Sequence, residues 1–202
     1  MRPVITGALI AITGGFVGAA LCNSGSFFNT LVHSSASVSD EQPAGFWITP
    51  AVNEYGKIHY DPEASFQPTA DLSNKIVFRV GRAGDNASLP NPALEKVAQV
   101  VNLYVASGIP VNKLSFVVAV NGGATPAMLD NVHYQKIYGA DNPNLRLISA
   151  LQRQGVKVSI CDQAIAWHHY KKEWVNGSVI HTPSALTTIT TLQNQGYAFL
   201  DM

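Results

Sequence analysis

Cys161 and its neighbours are the residues best placed to do chemistry in this chain. The stretch 155–164, GVKVSICDQA, has branched residues at Val156, Val158 and Ile160. It reads as a short buried strand that ends on a cysteine and turns into a helix. At such a corner of an α/β sheet, backbone N–H groups and the helix dipole favour an anion, so a thiol there is better placed to ionise. The other reading is an inert, buried thiol, because free cysteine is among the most buried residue types. Asp162 follows at once; it can cap the next helix, but its charge opposes a thiolate.

A second candidate is VNGGATP, residues 120–126. After a strand and before a helix, Asn121, Gly122 and Gly123 either bring bare N–H groups to a ligand or make a tight turn. The stretch lacks the Lys-Ser/Thr ending and the three spaced glycines of nucleotide-phosphate loops. His168 and His169 follow Cys161 by seven and eight residues. On one helix that is a rise of about 10 Å, too far for a shared zinc, so no metal site is expected. His133, in DNVHYQ, could reach Cys161 from another element but reads as a surface histidine. Neither GxSxG nor CxxC occurs, which gives serine-hydrolase and thioredoxin chemistry no support.

The elements that must position these residues are legible from residue 75 onward. Segments 91–108, 125–139, 142–155 and 182–196 each open with Asn-Pro or Thr-Pro and close with Gly. Asn or Thr satisfies orphan N–H groups, Pro in the first turn loses no bond, and Gly past the end accepts the left-handed conformation. Four helices are therefore predicted. Between them lie apolar runs at 75–80 (KIVFRV), 114–120 (LSFVVAV), 156–161 (VKVSIC) and 197–200 (YAFL). Nearly continuous rather than alternating, they suit strands covered on both faces. Alternating strands and helices predict an α/β domain with a largely parallel sheet.

The remainder sets bounds. Lys+Arg and Asp+Glu are 13 each over 202 residues, so no electrostatic footprint for nucleic acid appears. Residues 1–22 carry one charge, Arg2, before a 19-residue apolar run at 3–21. As a helix that run spans about 28 Å, close to a bilayer core of about 30 Å. It reads as a signal peptide, with an uncleaved membrane anchor as the alternative and lipidation at Cys22 as a minor one. Cys22 and Cys161 are the only cysteines; once the first is removed or lipidated, the second has no internal disulfide partner. Residues 23–73 read as a linker and irregular arm, with Phe46, Trp47, Tyr55, Tyr60 and Phe66 as anchors onto the core.

From Lys75 onward, the blocks NPALEKVAQVVNLYVASGIP, VNGGATPAMLDNVHYQKIYG, NPNLRLISALQRQGVKVSICDQAIAWH and SALTTITTLQNQGYAFL resemble the DsrE/DsrF-like family of sulfur-oxidation accessory proteins. The resemblance covers roughly two-thirds of the chain. It implies a three-layer α/β/α domain at 74–202, a mostly parallel sheet of about five strands, and assembly as a homotrimer or homohexamer. It also implies that Cys161 receives and passes on sulfur as a persulfide, without a cofactor. Asn121, Gly122 and Gly123 would hold the negative end of the transferred group, and Gln163 agrees with the family's Cys-Gly-Gln pattern. Two departures stand out: similar sequences often carry His where this chain has Asn121, and Gly where it has Asp162.

The expected function is an exported sulfur carrier, at most sulfurtransferase-like in activity, working with a donor or acceptor protein in the periplasm or outside the cell. The alternative is a non-catalytic oligomeric binding or scaffold module of the same fold. A flavin or nucleotide binder at the sheet's switch point rests on fold analogy alone.

Overall fold

A computed structural model describes residues 42–202. Five strands form one sheet: β1 (Lys75–Val80), β2 (Ser115–Val120), β3 (Lys157–Cys161), β4 (Ile180–Thr182) and β5 (Ala198–Asp201). Their spatial order is β4-β3-β2-β1-β5 and every neighbouring pair is parallel. The helices are α1 (Pro92–Ala106), α2 (Asn131–Tyr138), α3 (Asn144–Arg153), α4 (Asp162–Trp167) and α5 (Ala185–Asn194). Helices on both faces of the sheet make this a three-layer α/β/α fold, as expected.

Strand pleating sorts the side chains between the layers. Ile76, Phe78 and Val80 of β1, Phe116, Val118 and Val120 of β2, and Val158 and Ile160 of β3 enter one core with α1 and α3. The intervening Val77, Val117, Ala119 and Cys161 point the other way and pack on Ala185 and Ile189 of α5. The connections explain this split. Those from β1 to β2 and from β2 to β3 step in one direction across the sheet, whereas β4 to β5 steps back past β1. With a constant crossover hand, α5 must lie on the opposite face.

Helix starts follow the capping logic at two of the four predicted segments and depart from it at two. Asn91 Oδ1 accepts from Ala93 N at 2.9 Å with Pro92 behind it, and Asn142 Oδ1 accepts from Asn144 N at 3.0 Å. Thr125-Pro126 does not start the second helix: residues Gly122–Met128 form a 3-10 segment. Leu129 is then held extended by a bridge to Val175, so the helix restarts with Asp130 as its cap. Thr182 likewise closes β4, and Ser184 caps α5. The three-residue β4 is the strand that the apolar runs did not reveal.

The arm is built partly as expected, with Tyr55 packed against the main core. Val52 and Ile58 are its buried anchors, whereas Phe66 is fully exposed and Trp47 half exposed. Burying a valine of this size contributes about 1.5–3 kcal/mol. Asn102 of α1, itself fully buried, accepts from Ala51 N and Val52 N and donates to Tyr55 O and Gly56 O. Gly56 has φ +61, and a Cβ there would stand 2.2 Å from Gln99 N, so only glycine lets the arm lie this close to α1. The readings of residues 1–22 and Cys22 lie outside the described residues. Among the described residues no helix is long and apolar enough to cross a membrane.

Candidate functional site

The site lies where the sheet's connections diverge. The chain leaving β3 returns over the α1 and α3 face through Ile165, Val175 and Val179, whereas the chain leaving β4 enters α5 on the other face. Above the carboxyl ends of β3 and β4 this leaves a crevice, the usual ligand position of an open parallel sheet. Here it is a cleft of about 320 Å³.

Cys161 is the last residue of β3, 6 % exposed, and a free thiol. Register carries Asn121 to its side, since Val120 pairs with Ile160 one step earlier. Asn121, Gly122, Cys161, Gln163 and His168 all border the cleft. Of the five residues expected from sequence, Gly123 alone does not. It lies against the loop after β1, where a Cβ would stand 3.0 Å from Ala83 N; its bareness serves packing between two loops. The two other residues of the expected anion cradle differ from each other. Gly122 adopts φ +53 with the position of its absent Cβ 2.9 Å from Gly81 O. Asn121 Oδ1 is buried, turned toward Gly81, and has no partner among the described residues.

Helix α4 is six residues long, so its dipole is weaker than the strand-to-helix reading assumed. A second helix end compensates. Ser184, Ala185 and Leu186, at the start of the ten-residue α5, border the same cleft. Two N-termini therefore converge near the cysteine, a meeting that no local pattern announced. Trp167 and Leu186, 84 % and 71 % exposed, form an apolar rim.

Asp162 does not stand in the cleft as an opposing charge. Lys172 Nζ donates to Asp162 Oδ2 at 2.5 Å, and His181 Nδ1 lies 2.7 Å from Oδ1. Burial alone would raise this carboxyl's pKa, but the hydrogen bonds from Lys172 and His181 outweigh it and hold the group below its ordinary range. The trio ties the start of α4 to β4 and to the loop between them. Because the folded pKa is lowered, the ionised carboxylate's contribution is complete above the unfolded value of about 4. It is lost as pH falls through the folded value. Asp162→Asn should therefore cost about 1–2 kcal/mol at neutral pH, with the deficit narrowing below about pH 4. Thermal melts of both proteins across that range test it; a deficit that is constant with pH removes the ion pairs as its cause.

The histidines also sort themselves. His133 stacks on Trp174 at 4.6 Å and pairs with Asp130, away from Cys161. His169 adopts φ +55 and stops α4, which turns the ring of His168 back onto the loop after β2. His168 Nε2 lies 2.9 Å from Gly122 O, and its ring stacks on Tyr170 at 5.3 Å. Sequence reasoning weighed His168 only as a metal ligand and missed its place beside Cys161. No group of three His, Cys, Asp or Glu among the described residues is placed to hold a metal.

No curated protein matches the chain. A solved structure, the protein of unknown function MTH1491 from Methanobacterium thermoautotrophicum, is similar at 17 % identity and a TM-score of 0.45. The similarity covers 63 % of this chain and 97 % of that one. The DsrE/DsrF-like family model matches residues 76–202, from the second residue of β1 to the last residue of the chain, and the protein accordingly belongs to the DsrE/DsrF-like family, which is linked to sulfur metabolism.

Proposed function

We propose that this protein is an exported sulfur carrier that holds sulfane sulfur as a persulfide on Cys161. The observation that carries the reading is the free thiol of Cys161 opening on a cleft at the sheet's carboxyl edge, with two helix N-termini beside it. A persulfide is an anion at neutral pH, and such a position suits it. Its apolar rim fits a donor or acceptor protein that presents its own thiol, and the chemistry is thiol exchange at sulfur. The activity is at most that of a sulfurtransferase.

Self-association belongs to the same proposal. On the α5 face the helix contacts β1 and β2. Beside it, a hollow of about 550 Å³ runs along Lys157, Ser159, Ile180 and Leu192. A second copy of the chain covers this half-covered face in a trimer or hexamer. Light scattering that finds a concentration-independent monomer would remove that part. Export rests on residues 1–22; N-terminal sequencing of the soluble and membrane fractions separates a cleaved signal, an anchor, and neither.

A second reading, a scaffold that kept the fold without the chemistry, is favoured by the near burial of Cys161 and the shortness of α4. Mass spectrometry of Cys161 in protein purified from its own compartment decides. A persulfide or mixed disulfide supports the carrier, whereas a thiol that stays free and inert to sulfane donors supports the scaffold.

A further inference from the structure

We propose that His168 is the proton-transfer residue of the Cys161 cleft, an inference that rests on the sulfur-carrier reading and deepens it. Cys161 and His168 are the titratable groups among the residues that border the cleft; no Lys, Arg, Asp or Glu borders it. The tautomer follows from the partner. Gly122 O can only accept, so His168 Nε2 carries a proton and donates it across 2.9 Å. That leaves Nδ1 as the basic nitrogen of the neutral ring, and it has no partner among the described residues. The ring is held from two sides, by this bond and by the stack on Tyr170, so it is oriented before any substrate arrives.

Among the described residues no charged group is paired with the ring. Lys172, four residues on, is committed to Asp162 with His181. Lys171 and His169 are exposed in the same turn. Tyr170 is kept protonated because burial, with a contribution from Tyr138, raises its pKa. The 120–123 loop and the start of α5 bring no charge. Arg79 and Arg82 lie on β1 and its following loop and do not border the cleft, and Arg79 pairs with Asp201.

The step balances without an oxidant. Cys161 gives its proton to Nδ1, and the thiolate attacks the outer sulfur of a donor persulfide, R–S–SH. The donor's S–S bond breaks with its electron pair on R–S⁻, which takes the proton back from the imidazolium. Cys161–SH and R–S–SH thus become Cys161–S–SH and R–SH. The thiol and imidazole make no direct hydrogen bond here, which is usual before a substrate stands between acid and base.

The test compares the full-length protein with His168→Gln and His168→Ala. Glutamine can still donate to Gly122 O but cannot shuttle a proton; alanine does neither. The readout is the rate of Cys161 alkylation by neutral iodoacetamide across pH 5–9, with melting temperature as the folding control. The native profile should show an inflection from protonation of the ring besides that of the thiol. Both variants should lose it and react about tenfold more slowly below neutrality. If His168→Gln keeps the native profile, or both variants scale it by one factor at every pH, His168 is an anchor and the proposal is overturned. A second measurement needs no variant. Blocking Cys161 with iodoacetamide should move the NMR titration of His168, because two coupled groups share their protons; an unmoved titration also overturns the proposal. Failure of the carrier reading is separate, since it shows as native Cys161 that accepts no sulfur from glutathione persulfide while the inflection persists.

Discussion

Cys161→Ser is expected to abolish sulfur loading outright. With a sulfane donor such as glutathione persulfide, the native chain should gain the mass of one sulfur atom at Cys161, and the serine variant none. The expectation follows from the thiol count. In a chain that starts after residue 22, Cys161 is the sole cysteine, and a serine hydroxyl does not form a stable persulfide analogue under these conditions. The change removes little packing, since serine differs from cysteine by one atom. Cys161 contacts the small α5-side core of Val77, Ala119 and Ala185 rather than the larger one, so folding should survive. The cost is about 1–2 kcal/mol for a hydroxyl placed among apolar neighbours. Loading that persists in Cys161→Ser, mapped to another residue, would refute the assignment. Loading lost together with the native circular dichroism would call for Cys161→Ala, which introduces no hydroxyl.

The second large effect concerns stability. Asn102→Ala should destabilise the protein by about 3 kcal/mol, because it strands two backbone donors, one buried and one part-buried, and two carbonyls that the amide now serves. For a domain of this size that is about 6–12 °C in melting temperature. The loss should be local before it is global. Amides of Ala51 and Val52, which donate to Asn102 Oδ1 at 3.0 and 2.8 Å, should lose hydrogen-exchange protection well ahead of β1 and β2. A melting temperature within about 2 °C of native would mean that the arm contributes less than its hydrogen bonds suggest. The cleft shares no residue with this contact, so Cys161 reactivity should stay close to native.

Much of the scaffold was readable because its information is local. Strand β1 occupies the predicted residues 75–80, and β2 and β3 begin one residue later than their apolar runs. Continuous branched residues mark a strand covered on both faces. The failures share a cause as well. Strand β4 has three residues, two of them exposed, and owes its existence to pairing with β3 rather than to its own composition. The second helix starts late because Leu129 meets Val175, a partner 46 positions away that no window of sequence includes. Aromatic residues were expected to anchor the arm. Tyr55 does pack against the main core, but Val52 and Ile58 are the buried residues of the arm, since burial depends on which side chains the path of the arm turns inward.

By itself, then, the sequence determined the α/β grammar, the parallel sheet, and a cysteine at the carboxyl end of a buried strand. Each of these follows from side-chain pattern and capping chemistry acting over a few residues. Tertiary structure alone decided the company that cysteine keeps. It brought Ser184 and the start of α5 to the cleft, committed Asp162 to Lys172 and His181, and removed Gly123 from the site. It also laid the ring of His168 against Gly122, 46 residues earlier in the chain. Such meetings depend on crossover hand, strand register and the turn at His169, which are set by the packing of the whole sheet and leave no periodicity in the residues they join.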